Sequence, residues 1–102
     1  MSSMPGIDIT AAQWASISAI LQRHLAGQPV WAFGSRATRS AKPYSDLDLA
    51  IIGEQPLPIA LLAALEHDFT ESDLPFKVDL IDWASTGEGF RRIIARDHVV
   101  VQ

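Results

Sequence analysis

Two aspartates, Asp46 and Asp48, stand one residue apart in the run Asp46-Leu47-Asp48-Leu49. Alternate side chains of a β-strand point to the same face, so a strand here would present both carboxylates together and turn both leucines towards a core. Adjacent carboxylates repel each other, and a bound cation relieves that repulsion. Oxygen ligands of this kind favour Mg²⁺, which commonly binds one or two carboxylates together with substrate phosphates. The pair therefore predicts a magnesium site.

A third carboxylate, Asp79, interrupts the apolar run from Val78 to Ile81, where a buried strand ordinarily carries an apolar residue. If this strand lies beside the one that carries Asp46 and Asp48, the three carboxylates meet at one point. Three carboxylates can hold two metal ions about 3.5–4 Å apart, the arrangement used for in-line phosphoryl transfer. The competing interpretation is structural, because an Asp-x-Asp pair by itself also occurs on solvent-exposed strands.

The dipeptide Gly34-Ser35, directly after the apolar run Val30–Phe33, is suited to phosphate binding. Glycine lets a backbone approach a phosphate closely, and Ser35 offers a hydroxyl and an amide at the expected start of a short helix, where anions bind favourably. Arg36 follows in the loop towards the aspartates, where it either neutralises a triphosphate or belongs to a solvated loop surface. Ser45 either caps the next strand or assists the site. These four residues are the candidate phosphate-binding set.

The elements that would position these residues follow from periodicity and from turn residues. Thr10 and Gln13 form a capping-box pattern at the start of a first helix, which Gly27 ends. Apolar runs bounded by glycine and proline predict strands. The predicted strands are Val30–Phe33, Asp46–Ile52 and Lys77–Ile81, the later helices are Pro58 to about Ser72 and Glu88–Arg96, and the tail Val99–Val101 is either a fourth strand or a hydrophobic contact for another protein.

This order of elements predicts an α+β fold. The connection between the first two strands is too short for a crossover helix, so we expect them to be antiparallel neighbours. Helices packed on one face of a small mixed or antiparallel sheet then give a layered fold whose other face is open. Residues 1–102 are expected to form a single domain with its motif core at about 30–82.

Composition excludes several classes of protein. The chain has 102 residues, of which 12 are Asp or Glu and 8 are Lys or Arg, with no cysteine. The formal net charge of −4 argues against sequence-blind nucleic-acid binding, which depends on Lys and Arg at phosphates, and against an anionic membrane surface. The absence of cysteine excludes disulfides and cysteine-based zinc sites. No signal-peptide pattern or membrane-length apolar run is present, so we expect a cytoplasmic protein.

The motifs together resemble the signature of the DNA polymerase β-type nucleotidyltransferase superfamily. That signature is an apolar residue with Gly-Ser, ten residues, and Asp-apolar-Asp-apolar, which here reads Phe33–Ser35, then residues 36–45, then Asp46–Leu49. Within the superfamily the chain is most similar to the minimal nucleotidyltransferases, the MNT proteins. The segment Leu74–Trp83 also resembles their sequence pattern. The resemblance runs from about residue 10 to residue 96 and implies the polymerase β-type fold.

The resemblance also implies a reaction, which is nucleotidyl transfer, usually from ATP, with two Mg²⁺ ions. Asp46 and Asp48 would bind the metals, and Asp79 would complete the site and help to activate the attacking hydroxyl. Gly34 and Ser35 would hold the β- and γ-phosphates. An acceptor oxygen then attacks the α-phosphate and pyrophosphate leaves.

The resemblance further implies a partner. Relatives of this size commonly act with a small helical HEPN-like protein or a substrate-binding subunit, and many such pairs resemble toxin–antitoxin systems. The implied function is transfer of AMP to a hydroxyl on, or presented by, that partner, with this chain as the antitoxin. Relatives that modify small molecules carry an additional helical domain, so the acceptor surface here is expected from a partner or from a second copy in a homo-oligomer. Arg39 departs from the family, since many relatives have a second glycine there.

Two other functions stay open at this point. The chain is alternatively a catalytically weak antitoxin or binding subunit that masks its partner by contact, or a nucleotidyltransferase for a small molecule held by a separate substrate-binding subunit. Three clustered aspartates favour an enzyme, because contact alone gives no reason to keep them. Terminal transfer to RNA or DNA is disfavoured by the net charge of −4.

Overall fold

The computed structural model describes residues 4–102. No helix in that part of the chain is long and apolar enough to cross a membrane. The elements match the predicted order, and their ends differ from the predicted ones by no more than two residues. They are α1 (Ala11–Leu25), β1 (Val30–Phe33), β2 (Leu47–Ile51), α2 (Ile59–Thr70), β3 (Val78–Asp82), a single 3₁₀ turn (Trp83–Ser85), α3 (Glu88–Arg96) and β4 (Val99–Val100).

The four strands form one mixed sheet in the order β3-β2-β1-β4. β1 and β2 are antiparallel neighbours, as predicted, with Ala32 opposite Leu49. β3 runs parallel to β2, because α2 carries the chain back to the end of the sheet at which β2 began. The tail forms a strand against β1, with Val99 opposite Ala32, so the fourth-strand alternative is confirmed.

The start of α1 is fixed by the predicted capping box. The Thr10 hydroxyl accepts from the Gln13 amide at 3.1 Å, and the Gln13 side chain accepts from the Thr10 amide at 2.9 Å. Both amides belong to a first helical turn that has no intrahelical acceptor for them. The apolar side of α1 then turns Ile17 and Leu21 fully into the core.

The main hydrophobic core lies between the sheet and the pair α1 and α2. Leu21 of α1 and Leu65 of α2 pack there with Val30 of β1 and with Leu47 and Leu49 of β2, and all five are fully or almost fully buried. Burial of this apolar surface is the dominant stabilising contribution to the fold. The α+β class and the mixed sheet are confirmed.

A second, smaller cluster covers part of the opposite sheet face. Ile94 of α3 is fully buried there against Phe33 and Ala50. The expectation that all helices share one face therefore holds for α1 and α2 and is wrong for α3. The reason is the alternation of β1 and β2, which places Phe33 and Ala50 on the face away from the main core, where only α3 can cover them. The rest of this face carries the aspartates.

Candidate active site

β2 and the residue before it present the two aspartates on the sheet face away from the main core. Leu47 and Leu49 are 0% exposed, Asp48 is half-buried and Asp46 is exposed. The strand thus alternates buried leucines with accessible carboxylates. The predicted orientation of all four side chains is confirmed.

β3 adds the third aspartate to the same place. In the parallel β2–β3 pair the residue opposite Asp48 is Asp79, so both side chains leave the sheet on one face. Val78 and Leu80, on either side of Asp79, pack against the main core instead. The structure therefore brings the three sequence-predicted aspartates together, because the α2 crossover places β3 beside β2.

The electrostatics of this cluster centre on Asp48. Burial, together with the negative charges of Asp79 and Asp46, raises the pKa of the Asp48 carboxyl to about 6. Each of these causes disfavours the ionised form. A cation placed among the three carboxylates would remove that penalty, so the cluster has the electrostatic character of a cation site.

The oxygen atoms of the three carboxylates are ligands of the kind that Mg²⁺ prefers, but the carboxylates do not surround one point. Among residues 4–102, no three side chains of the His, Cys, Asp or Glu type converge closely enough to hold a metal ion. One reason is visible at Asp79, whose Oδ1 lies 3.1 Å from Lys77 Nζ. Asp46, Asp48 and Asp79 are the residues that would hold Mg²⁺. The predicted metal-ligand role of the three aspartates stays a prediction.

Gly34, at the end of β1, is required by its contact with Asp48. Its φ of 75° is in the left-handed region, which glycine adopts without strain. A Cβ atom built on Gly34 would overlap Asp48 Oδ2 and lie 3.3 Å from Asp48 Cγ. The backbone here therefore approaches the carboxylate more closely than any side chain allows, and it borders the place where a metal-bound phosphate would lie.

Ser35 opens a series of hydrogen-bonded turns and not the expected short helix. The amides of Ala37 and Thr38 both donate to the Gly34 carbonyl at 3.1 Å, and the Ser40 amide donates to the Ser35 carbonyl at 2.9 Å. The chain does not continue as a helix because Arg39 adopts a left-handed φ of 63°. Ser35 is half-buried beside Gly34, so its position is compatible with the predicted phosphate contact.

Arg36 does not point into the site. Its side chain is 5% exposed, and the guanidinium donates to the backbone carbonyls of Asp8 (2.7 Å), Ser45 (2.8 Å) and Pro43 (3.0 Å). It also lies over the Phe76 ring, 3.9 Å from the centroid. Burial lowers the pKa of this guanidinium, and Asp8 and Asp46 oppose that effect. The donors of Arg36 are used to hold the loop together, and its predicted phosphate contact stays a prediction.

Ser45 and Arg39 also serve the loop. The Ser45 hydroxyl accepts from the Lys42 amide at 2.9 Å, which is the ordinary turn role that the sequence left open beside a site role. Arg39 Nε lies 2.7 Å from Asp8 Oδ1, so its charge is paired with the segment that precedes α1. Its left-handed φ is a conformation that glycine adopts more readily than arginine. Neither side chain contacts the three aspartates.

Comparison with known families decides the class of protein. The family described as "Polymerase beta, Nucleotidyltransferase" matches residues 15–102, which include both motifs and every strand of the described sheet. The chain belongs to the polymerase β nucleotidyltransferase family. It is also 50% identical, over 102 residues, to a Haemophilus influenzae protein named "Probable protein adenylyltransferase MntA". That alignment covers 100% of this chain and 90% of the relative.

Solved structures support the same fold for this nucleotidyltransferase. A toxin–antitoxin crystal structure with AMP-PNP aligns with a TM-score of 0.72 at 20% identity, covering 87% of this chain and 72% of the other. A mutant of the toxin–antitoxin pair MntA-HpeT aligns with a TM-score of 0.69 at 19% identity, covering 93% and 73%. At these identities the likeness establishes the fold and nothing finer. The polymerase β-type fold that the motifs implied is confirmed.

One cation near the aspartates of this nucleotidyltransferase was not among the residues singled out from the sequence. Lys77 was recognised only as the start of the third strand, although it stands two residues before Asp79. That spacing is the signal that was available, because residues i and i+2 of an extended strand share a face. The structure joins the two side chains in an ion pair.

Proposed function

We propose that this nucleotidyltransferase transfers AMP from ATP to a hydroxyl group on a partner protein, as the antitoxin of a toxin–antitoxin pair. The observation that carries the proposal is that Asp46, Asp48 and Asp79 are neighbours on one sheet face beside Gly34. The 50% identity to a named protein adenylyltransferase supports the choice of AMP and of a protein acceptor. The toxin–antitoxin pairs among the similar structures support the partner class.

In this proposal the three aspartates would hold two Mg²⁺ ions, which would supply charge neutralisation of the triphosphate and alignment of its α-phosphate. Gly34 and Ser35 hold the β- and γ-phosphates from the turn after β1. Asp79 orients the acceptor hydroxyl and takes its proton as the hydroxyl oxygen attacks the α-phosphorus. The bond from the α-phosphorus to the bridging oxygen breaks, pyrophosphate leaves, and AMP is joined to the acceptor as a phosphodiester.

The partner in this proposal is a HEPN-like helical toxin that presents its own hydroxyl to the open part of the sheet face. The site borders solvent, since Asp46 is exposed and Asp48 is only half-buried, so an acceptor on another protein can reach it. The cytoplasm is the compartment that the proposal assigns, because the nucleoside triphosphate is available there. A chain without cysteine is compatible with that compartment.

The test combines the purified chain, the product of the adjacent reading frame, Mg²⁺ and α-labelled ATP. We expect label on the partner, and we expect Asp48→Asn to remove it, because the amide keeps the size of the carboxylate and loses its charge. Asp73→Asn is the matched control, since Asp73 is an exposed carboxylate in the loop after α2. Label that survives Asp48→Asn would refute the proposed chemistry.

Two further readouts separate the alternatives. Neutralisation of the partner's toxicity that persists in Asp48→Asn, with a stable complex, would support masking by contact. Label that appears only when a small-molecule fraction is added would support a separate substrate-binding subunit. Under the proposal, loss of label and loss of neutralisation occur together.

A further inference from the structure

Lys77 is placed directly against the aspartate cluster. Its Nζ lies 3.1 Å from Asp79 Oδ1. The Leu47 amide donates to the Lys77 carbonyl at 2.9 Å, so Lys77 stands beside the start of β2, next to Asp46. Lys77 and Asp79 share a face because they are two residues apart in extended chain. One ammonium group therefore borders the site.

Of the three basic residues in the loop that joins β1 to β2, Lys42 is exposed and the other two are already engaged. The guanidinium of Arg36 is buried and hydrogen-bonded to backbone carbonyls, and Arg39 is paired with Asp8. A triphosphate and three carboxylates need cationic partners beyond the metals themselves. Lys77 is in position to supply one.

The Lys77 side chain is also free to move. It is 73% exposed, and exposed ion pairs of this kind are weak. Lys77 and Asp79 also border an open cavity of about 510 Å³ between α2 and β3. A lysine is a compact charge on a flexible four-carbon chain, well suited to following a phosphate.

We propose that Lys77 is a substrate-binding residue that exchanges partners during the reaction. Before the metal binds, the ammonium pairs with Asp79 and holds the cluster apart; when metal and nucleotide enter, it leaves Asp79 and binds a phosphate oxygen of the triphosphate. This inference rests on the proposed function, since it requires the three aspartates to bind Mg²⁺ and a nucleotide. It gives the segment that carries Asp79 a second role, which is contact with the triphosphate through Lys77.

If Lys77 exchanges partners in this way, removing its charge should strengthen the binding of Mg²⁺ and weaken the binding of ATP. In Lys77→Met the metal no longer competes with an ammonium for Asp79, so Mg²⁺ alone should bind about threefold more tightly. The same variant loses a charge-assisted contact to the triphosphate, so the KM for ATP should rise about tenfold. Lys77→Arg keeps the charge and should restore most of the ATP affinity. A merely structural lysine would weaken both kinds of binding together.

The experiment measures Mg²⁺ binding to the full-length chain without nucleotide by titration calorimetry, and the KM for ATP with the partner present. Arg23→Met is the matched control, because Arg23 also forms an exposed ion pair, with Asp68, on the helical side of the sheet. We expect that control to change neither quantity. Unchanged or weaker Mg²⁺ binding in Lys77→Met, or an unchanged KM, overturns the proposal.

The same data distinguish failure of the proposed function from failure of this inference. If the wild-type chain binds Mg²⁺ and Asp48→Asn abolishes that binding, the metal site stands, and only the Lys77 variants decide the inference. If wild-type binding does not depend on Asp48, the proposed metal chemistry is refuted, and the role of Lys77 is refuted with it.

Discussion

Gly34 is the residue at which backbone conformation and site chemistry meet most closely. Its left-handed φ and its approach to Asp48 are two separate demands, and only a residue without a Cβ atom meets both. The turn after β1 can therefore lie against the β2 carboxylate without a side chain between them. A substituent at this position would occupy the space beside Asp48 that the proposal gives to a phosphate.

Gly34→Ala should lower the adenylylation rate by about 100-fold or more, because the new methyl group displaces the Asp48 carboxylate from its position. The left-handed backbone should also lower the free energy of unfolding by about 1–2 kcal/mol. Gly27→Ala is the matched control, since Gly27 also has a positive φ, of 81°, but a Cβ there meets nothing within 4 Å. That variant should lose similar stability and keep its activity. The measurements are urea denaturation and the labelled-AMP assay.

For an individual residue, the sequence predicts a role that depends on strand alternation. It does not predict a role that depends on partners distant in the chain. The orientation of Asp46 and Asp48 follows from a period of two along one strand. The role of Arg36 does not, because its acceptors include the carbonyl of Asp8, 28 positions away, which the fold brings beside it. A basic residue in a loop next to a phosphate motif therefore gives no local sign that it is structural.

Among the elements, the connection from β1 to β2 carries the most function and the least regular structure. Arg36 stabilises it from within by bonding to the carbonyls of Ser45 and Pro43 at its far end and of Asp8 before α1. The connection thus closes on itself just before Asp46. Its conformation fixes where the first aspartate leaves the loop and where β2 begins.

Arg36→Ala should destabilise the protein by about 3 kcal/mol, because several partly buried carbonyls lose their donor at once and the buried arginine side chain is removed. Arg36→Lys should restore little of this loss, since an ammonium cannot span the same acceptors. Arg92→Ala, which removes an exposed arginine from an i,i+4 pair with Glu88 on α3, should change stability by less than about 0.5 kcal/mol. Urea denaturation measures all three. A loss at Arg36 no larger than that at Arg92 would show that the loop does not depend on the guanidinium.

The elements also show what the sequence leaves open about packing. The apolar pattern of the segment Glu88–Arg96 predicts its helix correctly but does not say which sheet face it covers. The helix packs on the face opposite the main core, because Phe33 and Ala50 present apolar surface there. Phe90, one turn before Ile94, reaches Phe33 edge-on at 5.8 Å, close to the turn that holds Gly34. The helix therefore bounds the site as well as the second core.

Across the whole molecule, stability and function compete at the aspartate face. The main core is sealed by α1 and α2, whereas the opposite face keeps three carboxylates together in a chain with a formal net charge of −4. Burial of Asp48 and the mutual repulsion of the carboxylates both oppose folding with Asp48 ionised, and the raised pKa of Asp48 reflects that cost. The fold tolerates it because most of the hydrophobic contacts lie in the main core. Binding of a cation between the aspartates should therefore stabilise the folded chain.

Without divalent metal, the free energy of unfolding should therefore fall as pH rises from about 4 to about 6. The pKa of Asp48 is raised from the ordinary 3.8 to about 6 in the folded chain, so between these values the folded state keeps a proton that the unfolded state has lost. Folding is then favoured at the acid end, and the advantage is lost as pH passes the folded pKa. Asp48→Asn should flatten this part of the profile, because the amide does not titrate.

Added Mg²⁺ should reverse the trend, since the metal binds the ionised carboxylates of the folded chain and stabilises it more at about pH 7 than at about pH 5. Urea denaturation across this range, with and without Mg²⁺, measures both effects. The hydrogen bond with His24 also lowers the pKa of Asp68. Asp68 therefore changes the free energy of unfolding only below its ordinary pKa of 3.8, and it does so equally in the wild type and in Asp48→Asn. The difference between these two profiles therefore isolates the aspartate face. A metal-free profile that is level from pH 4 to 6, or Mg²⁺ stabilisation that is equal in Asp48→Asn, would contradict the electrostatic account of the site.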